Sequence, residues 1–162
     1  MPIVLYRIDD RLIHGQVVVG WGTPLRVGFI VLVDDEVASS GWEQELYRMG
    51  VPPGIELVFA TTEDAAASLA RFAADPRTGI LLAGSADTML RLVELARERI
   101  PAVNVGGIHH REDRTQRLRY VFLSPSEEES LRRMARQGVV VSAQDVPSAR
   151  PVALGELLGD ER

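Results

Sequence analysis

Short β-rich apolar runs alternate with stretches of helical periodicity from one end of this chain to the other, and that alternation restricts the fold more than any other feature. Ile3–Ile8, Phe29–Val33, Glu56–Ala60, Gly79–Ala83, Ala102–Val105, Tyr120–Leu123 and Val139–Ser142 read as strands. Between them Gly15–Trp21, Ser40–Arg48, Thr62–Ala74, Ala86–Glu98 and Pro125–Gln137 read as helices. The pattern predicts an α/β fold in three layers, an open and mostly parallel sheet with helices on both faces. The segment after Gly106 is short enough for an irregular hairpin in place of a helix, which would let one strand run antiparallel. Helix starts are marked at Thr62, followed by Glu63 and Asp64, and at Ser124-Pro125, followed by Glu127, Glu128 and Glu129. Gly138 stands where a helix ends, and Pro52-Pro53-Gly54 and Asp75-Pro76 mark turns.

With 162 residues, 46% of them hydrophobic, and no repeat, low-complexity tract or linker, the chain is expected to form one domain over 1–162. No run approaches the roughly 20 apolar residues of a membrane span, and Pro2–Leu5 is too short for a signal sequence. A cytoplasmic protein without membrane insertion is expected. The absence of cysteine excludes disulfides, thiolate nucleophiles and cysteine-held metals. A net charge of −5 argues against general nucleic-acid binding, which needs a basic surface. All 18 basic residues are arginine. Genomic base composition is the simpler cause, but in either case Schiff bases, the P-loop lysine and the kinase lysine are excluded, and any anion must be held by arginine or backbone.

In open parallel sheets, ligands gather beyond the carboxyl ends of the strands. The loop after the first strand, Arg7-Ile8-Asp9-Asp10-Arg11-Leu12-Ile13-His14-Gly15-Gln16-Val17, is a dense polar cluster that sets His14 at the entrance of a helix. A neutral imidazole can attack through one nitrogen while the other is oriented by a hydrogen bond. Arg7 and Arg11 could neutralise a phosphoryl group with forked donors, and N–H groups from Gly15 and Gln16 onward would face it. Asp9 or Asp10 could hold the ring in one tautomer. On chemistry alone, a capped loop with a solvated ion-pair network accounts for the cluster equally well.

The segment resembles very closely the active-site loop of the mannose/fructose/sorbose-type phosphotransferase system (PTS) IIB components. Val33-Asp34-Asp35-Glu36-Val37-Ala38, Val51-Pro52-Pro53-Gly54, Val103-Asn104-Val105-Gly106-Gly107 and Arg114-Thr115-Gln116 also follow that family's order, so the likeness runs from about Ile3 to Leu158. The resemblance implies a largely parallel fold of about seven strands. It implies that His14 is phosphorylated at Nδ1 by a IIA histidine and passes the phosphate to a sugar bound in a membrane IIC/IID complex. Arg11 matches the phosphate-stabilising arginine and Arg7 a basic position beside it. Asp10 is expected to serve catalysis with His14 and Arg11, Gly15 and Gln16 to bind phosphate, and Asp9, Asn104, Gly106 and Gly107 to complete the surroundings. No cofactor or metal is needed by such a domain. Its docking faces should be modest and transient, placing the protein peripherally at the inner membrane face, and an apolar surface around Trp42 and Tyr47 would permit a homodimer. With little chain after Leu158, no fused IIA or DNA-binding domain is expected. The alternative is a regulatory phospho-relay module that moves no sugar.

Other signals weigh less. Phe29–Val33 followed by Asp34, Asp35 and Glu36 resembles a receiver-domain pocket, but Leu57–Thr61 ends without an acceptor aspartate and the chain has no lysine. An acidic strand end capping the next helix is the better reading. His109-His110 are adjacent and would point apart on an extended segment, which disfavours chelation. Gly106-Gly107 suits a phosphate cradle or a plain tight turn, and Trp21 and Trp42 suit core or interface better than sugar stacking.

Overall fold

The computed structural model describes residues 2–96 and 99–160. Its strands are β1 (Ile3–Ile8), β2 (Phe29–Val33), β3 (Glu56–Ala60), β4 (Gly79–Ala83), β5 (Ala102–Val105), β6 (Thr115–Leu118), β7 (Val121–Leu123), β8 (Val140–Ala143) and β9 (Val152–Ala153). A π-helical segment, Gln16–Trp21, runs directly into α1 (Gly22–Leu25). The remaining helices are α2 (Asp35–Ala38), α3 (Gly41–Met49), α4 (Thr62–Ala73), α5 (Ala86–Leu95), α6 (Pro125–Arg136) and α7 (Leu154–Leu158).

The main sheet has seven strands in the order β3-β2-β4-β1-β5-β8-β9, all neighbours parallel except β8 and β9. Successive side chains of a strand point to opposite faces, so β1 to β4 each feed two cores. Phe29, Val31 and Val33 of β2 join Leu69 and Phe72 of α4, Met89 and Leu92 of α5, Leu131 and Met134 of α6, and Leu157 and Leu158 of α7. Ile30 and Leu32 face the other way, onto Val17, Val18 and Trp21 of the π-helical segment and Val37 of α2. Because helices cover both faces, β2 and β4 are buried at every position, which is why they read as unbroken apolar runs.

The three-layer, mostly parallel sheet is as expected, with one exchange of strands. The run Tyr120–Leu123 is not in the main sheet. Its strand β7 pairs antiparallel with β6 in a separate hairpin, and the seventh place goes to β9, whose two residues are too few to show a period. The helix expected at Gly15–Trp21 is wound with π spacing, and the short α2 and α7 carry no pattern of their own. Thr61, not Thr62, caps α4, its side chain accepting from Asp64 N at 3.1 Å. Ser124 caps α6 in a full capping box with Glu127. The final positions of the expected Ala86–Glu98 helix, 97 and 98, lie outside the described residues. Among the described residues no helix is long and apolar enough to cross a membrane.

Candidate functional site

The site begins with an arginine inside the protein. Arg7 sits on the face of β1 shared with Leu5, over the Trp21 ring at 4.9 Å from its centroid, and its side chain is wholly buried. The parallel register sets it beside Asn104 of β5. Its Nη1 donates to Asn104 Oδ1 and to Gln144 O at 2.8 Å; its Nη2 donates to Asp9 Oδ2 at 3.3 Å and Asp145 O at 3.2 Å. Nε has no hydrogen-bond partner among the described residues. Burial pushes the Arg7 pKa down, and the neighbouring Asp9 carboxylate opposes that shift. Arg7 was expected to bind phosphate. Both of its terminal nitrogens are engaged by protein acceptors and its side chain has no exposed surface, so it ties together the loops around it.

Asp9 is the hub, also wholly buried. Oδ1 accepts from Arg11 N at 3.2 Å and Nε at 2.9 Å, while Oδ2 accepts from Arg11 Nη2 at 2.8 Å, Arg7 Nη2 at 3.3 Å and Gly107 N at 3.3 Å. His14 Nε2 lies 3.4 Å from Oδ2, long for a hydrogen bond, and this buried nitrogen has no better acceptor among the described residues. Burial opposes ionisation of Asp9, but the contacts from His14 and Arg11 and the charge of Arg7 outweigh it and hold the carboxyl far below its ordinary range.

Between Asp9 and His14 the chain turns sharply. Leu12 N donates back to Asp9 O at 3.1 Å, and Leu12 takes the left-handed conformation at φ 59°. For a leucine this stores on the order of 1–2 kcal/mol of strain. The turn delivers His14 to the start of the π-helical segment, a geometry that recurs at functional sites. There the free N–H of Gln16 donates to His14 Nδ1 at 3.2 Å. An acceptor at Nδ1 assigns the proton of a neutral ring to Nε2, on the Asp9 side. The ring is 19% exposed.

Arg11 is the guanidinium that reaches the surface, 41% exposed. Its Nε and Nη2 grip Asp9 and its Nη1 donates to Gln16 Oε1 at 3.0 Å. The hydrogen bond to Asp9, first among several causes, raises the Arg11 pKa further, so its charge is permanent.

Asp10 does not meet the expectation of a partner for His14. Its Oδ2 accepts from His109 N at 2.9 Å and contacts His109 Nδ1, with Arg114 Nη1 at 3.8 Å. Adjacent residues point apart, and Asp9 took the inward direction. Asn104 stands between Arg7 and Gln144 Oε1, to which its Nδ2 donates at 3.3 Å. Gly106 and Gly107 leave room for arginine: a Cβ at Gly106 would lie 2.3 Å from Arg7 Nη2, and one at Gly107 2.9 Å from Arg11 Nε. Gly15 has open space beside it. His109 engages Asp10 while His110 packs edge-on against Phe122, so the two histidines serve different neighbours. Asp34 caps α2 through Glu36 N and Val37 N, and Asp35 accepts from Thr62 N.

The loop after β8 was not foreseen. Gln144 and Asp145 supply carbonyls to Arg7, and Asp145 O also accepts from Trp21 Nε1 at 3.1 Å. Only their place at the carboxyl end of a strand neighbouring β5 pointed to them.

The His14 ring thus has its nitrogens told apart by a buried carboxylate on one side and a helix-start amide on the other, beside an exposed guanidinium, an arrangement chemically able to carry a transferred anionic group. The chain belongs to the sorbose subfamily of PTS IIB components, whose family model, described as "PTS system sorbose subfamily IIB component", matches residues 3–162. It is thus a phosphotransferase component of a sugar phosphotransferase system. Similar proteins include the N-acetylgalactosamine-specific phosphotransferase enzyme IIB component 1 of Escherichia coli, 34% identical over 90% of this chain and 91% of that one. The mannose-specific EIIAB component of Escherichia coli is 31% identical over 98% of this chain and 49% of its own length. The crystal structure of the IIBSor domain of the sorbose permease from Klebsiella pneumoniae superposes with a TM-score of 0.88 and 28% identity, covering 100% of this chain and 99% of that one.

Proposed function

We propose that His14 carries the phosphoryl group, taking it at Nδ1 from a phosphohistidine of a IIA partner and giving it to a sugar presented by a membrane IIC/IID complex. The observation that carries this reading is the differentiated ring: Nε2 on the Asp9 side, Nδ1 facing only the Gln16 amide. In the acceptance step the Nδ1 lone pair attacks phosphorus as the donor's P–N bond breaks, and the donor imidazole keeps that electron pair. The Gln16 N–H, which now points at the lone pair, then meets a phosphoryl oxygen. Arg11 stabilises the three oxygens with its outer N–H groups. Catalysis is positioning and charge neutralisation, the requirement for a loose phosphoryl-transfer transition state. In transfer to a sugar, the hydroxyl oxygen bonds to phosphorus as the P–Nδ1 bond breaks, the electron pair of that bond returns to the ring, and the hydroxyl proton leaves to a base on the transporter or to solvent.

The relatives carry the names of sugar systems, and none favours the regulatory alternative. Membrane association through the transporter follows from this reading. So does sugar choice in the transporter, since the named sugars differ among relatives. A dimer would use α3, where Trp42, Leu46 and Met49 are exposed on one side while Tyr47 turns inward; sedimentation at several concentrations checks it.

Incubation with phosphorylated IIA, or with phosphoramidate as a small donor, followed by mass-spectrometric mapping at neutral-to-alkaline pH should label His14 alone. His14→Ala should fold and take no label. Label on His109 or His110 in that variant would end the assignment.

A further inference from the structure

We infer that Asp145 is a positioning residue for phosphoryl acceptance, fixing the plane of the Arg11 guanidinium through the side-chain amide of Gln16. The inference rests on the reading of His14 and Arg11 given above. A glutamine amide can present its oxygen or its nitrogen to either neighbour, and the surroundings decide. On one side of Gln16 stand two acceptors of the same residue, Asp145 Oδ1 at 2.6 Å and Asp145 O at 3.3 Å. On the other stands a donor, Arg11 Nη1 at 3.0 Å. A flipped amide would set oxygen against two oxygens and NH2 against a guanidinium. Asp145 therefore selects the orientation in which Oε1 receives Arg11.

The consequence for Arg11 follows from its donors. A guanidinium has five N–H groups in one plane. Nε and Nη2 each give one to Asp9, and Nη1 gives one to Gln16. One N–H remains on each terminal nitrogen, together the forked end that matches a phosphoryl group. The Asp9 contact alone fixes one edge. A dianion arriving at the fork competes with Asp9 for the same cation, and the third anchor on Gln16 keeps the plane from turning as it does.

Asp145 is itself well fixed. Its carbonyl receives Trp21 Nε1 at 3.1 Å and Arg7 Nη2 at 3.2 Å, donors from the buried interior. Its Oδ2 meets Arg119 Nη2 at 3.4 Å, on a side chain 86% exposed. Since backbone carbonyls survive a side-chain substitution, Asp145 can be altered without removing what holds Arg7.

The test uses the full chain and phosphoramidate, whose P–N bond to ammonia breaks as phosphorus bonds to Nδ1. Asp145→Ala should slow His14 phosphorylation about tenfold, less than the roughly hundredfold that misplacing a catalytic group can cause. Asp145→Asn, whose Oδ1 still accepts from Gln16 Nε2, should recover at least half the wild-type rate. In a double-mutant cycle, adding Asp145→Ala to Gln16→Ala should cause no further loss. Equal slowing by Ala and Asn, additive losses, or faster labelling in both Asp145 variants would overturn the inference, the last by showing that the carboxylate merely repels the incoming anion. If Asp145→Ala does not fold, the comparison of Asp145→Asn with wild type and Gln16→Ala still decides: an Asn variant as slow as Gln16→Ala overturns it. An unlabelled His14 in the wild type would instead defeat the underlying assignment.

Discussion

Arg11 keeps its charge at every accessible pH, so a lysine at that position tests geometry alone. An ammonium is a point charge without the planar fork, and Arg11→Lys should slow phosphoryl acceptance about ten- to a thousandfold, the range for removing one preorganised donor. Rapid-quench labelling measures it, and a wild-type rate would assign the stabilisation to the Gln16 amide instead. Asp9 is the residue on which stability turns. Replacing it with Asn leaves the buried Arg7 charge without its counter-ion, and should cost about 3–5 kcal/mol in denaturant unfolding. Its native pKa is depressed, so the unfolded chain takes up the proton first as pH falls. The stabilisation is complete above the ordinary carboxylate range near pH 4 and declines below it, vanishing once pH passes beneath the native value. Unfolding midpoints at pH 6 and pH 3 should therefore differ more in the wild type than in Asp9→Asn.

At the level of elements, the glycine turn after β5 is shaped by arginine more than by its own conformation. Gly106→Ala would drive a methyl into the Arg7 guanidinium, which cannot withdraw while Asn104, Asp9 and two carbonyls hold it. The variant should lose most phosphoryl acceptance and melt well below wild type. Ser124→Ala tests a gentler link. Loss of the α6 cap should cost about 1 kcal/mol, with little change in labelling, although Glu127 of the same capping box also grips Arg114 at 2.7 and 2.9 Å. How well each element could be read follows from its size and surroundings. β2 and β4 declared themselves because two helical layers make every position apolar. β9, with two residues, and α2, with four, are too short to show any period. In the site, the nearness of His14, Arg11 and Asp9 was legible because six residues of one loop, Asp9 to His14, hold all three. Which of Asp9 and Asp10 would face the histidine depends on packing that neighbouring letters do not encode. Gln144 and Asp145 stand some 130 positions from the loop they support, and no local signal spans that distance.

Across the whole molecule, the C-terminal segment closes both an edge and a core. β9 covers the free side of β8, and Leu157 and Leu158 are buried in the larger apolar cluster. Deleting residues 152–160 should cost about 3–6 kcal/mol for the two leucines alone, and should expose β8 as an edge open to pairing with other chains. Thermal melting with light scattering measures both, and an unchanged melting temperature would show that the sheet is complete without this segment. The acceptors around Arg7 come from positions 9, 104, 144 and 145, which has a bearing on synthesis. A polypeptide still on the ribosome and short of residue 145 contains the histidine and its whole loop, yet lacks the carbonyls that let a charged arginine enter the interior. Competence to carry phosphate should therefore arrive late in synthesis: chains ending before residue 145 should take little label from phosphoramidate where the full chain labels readily.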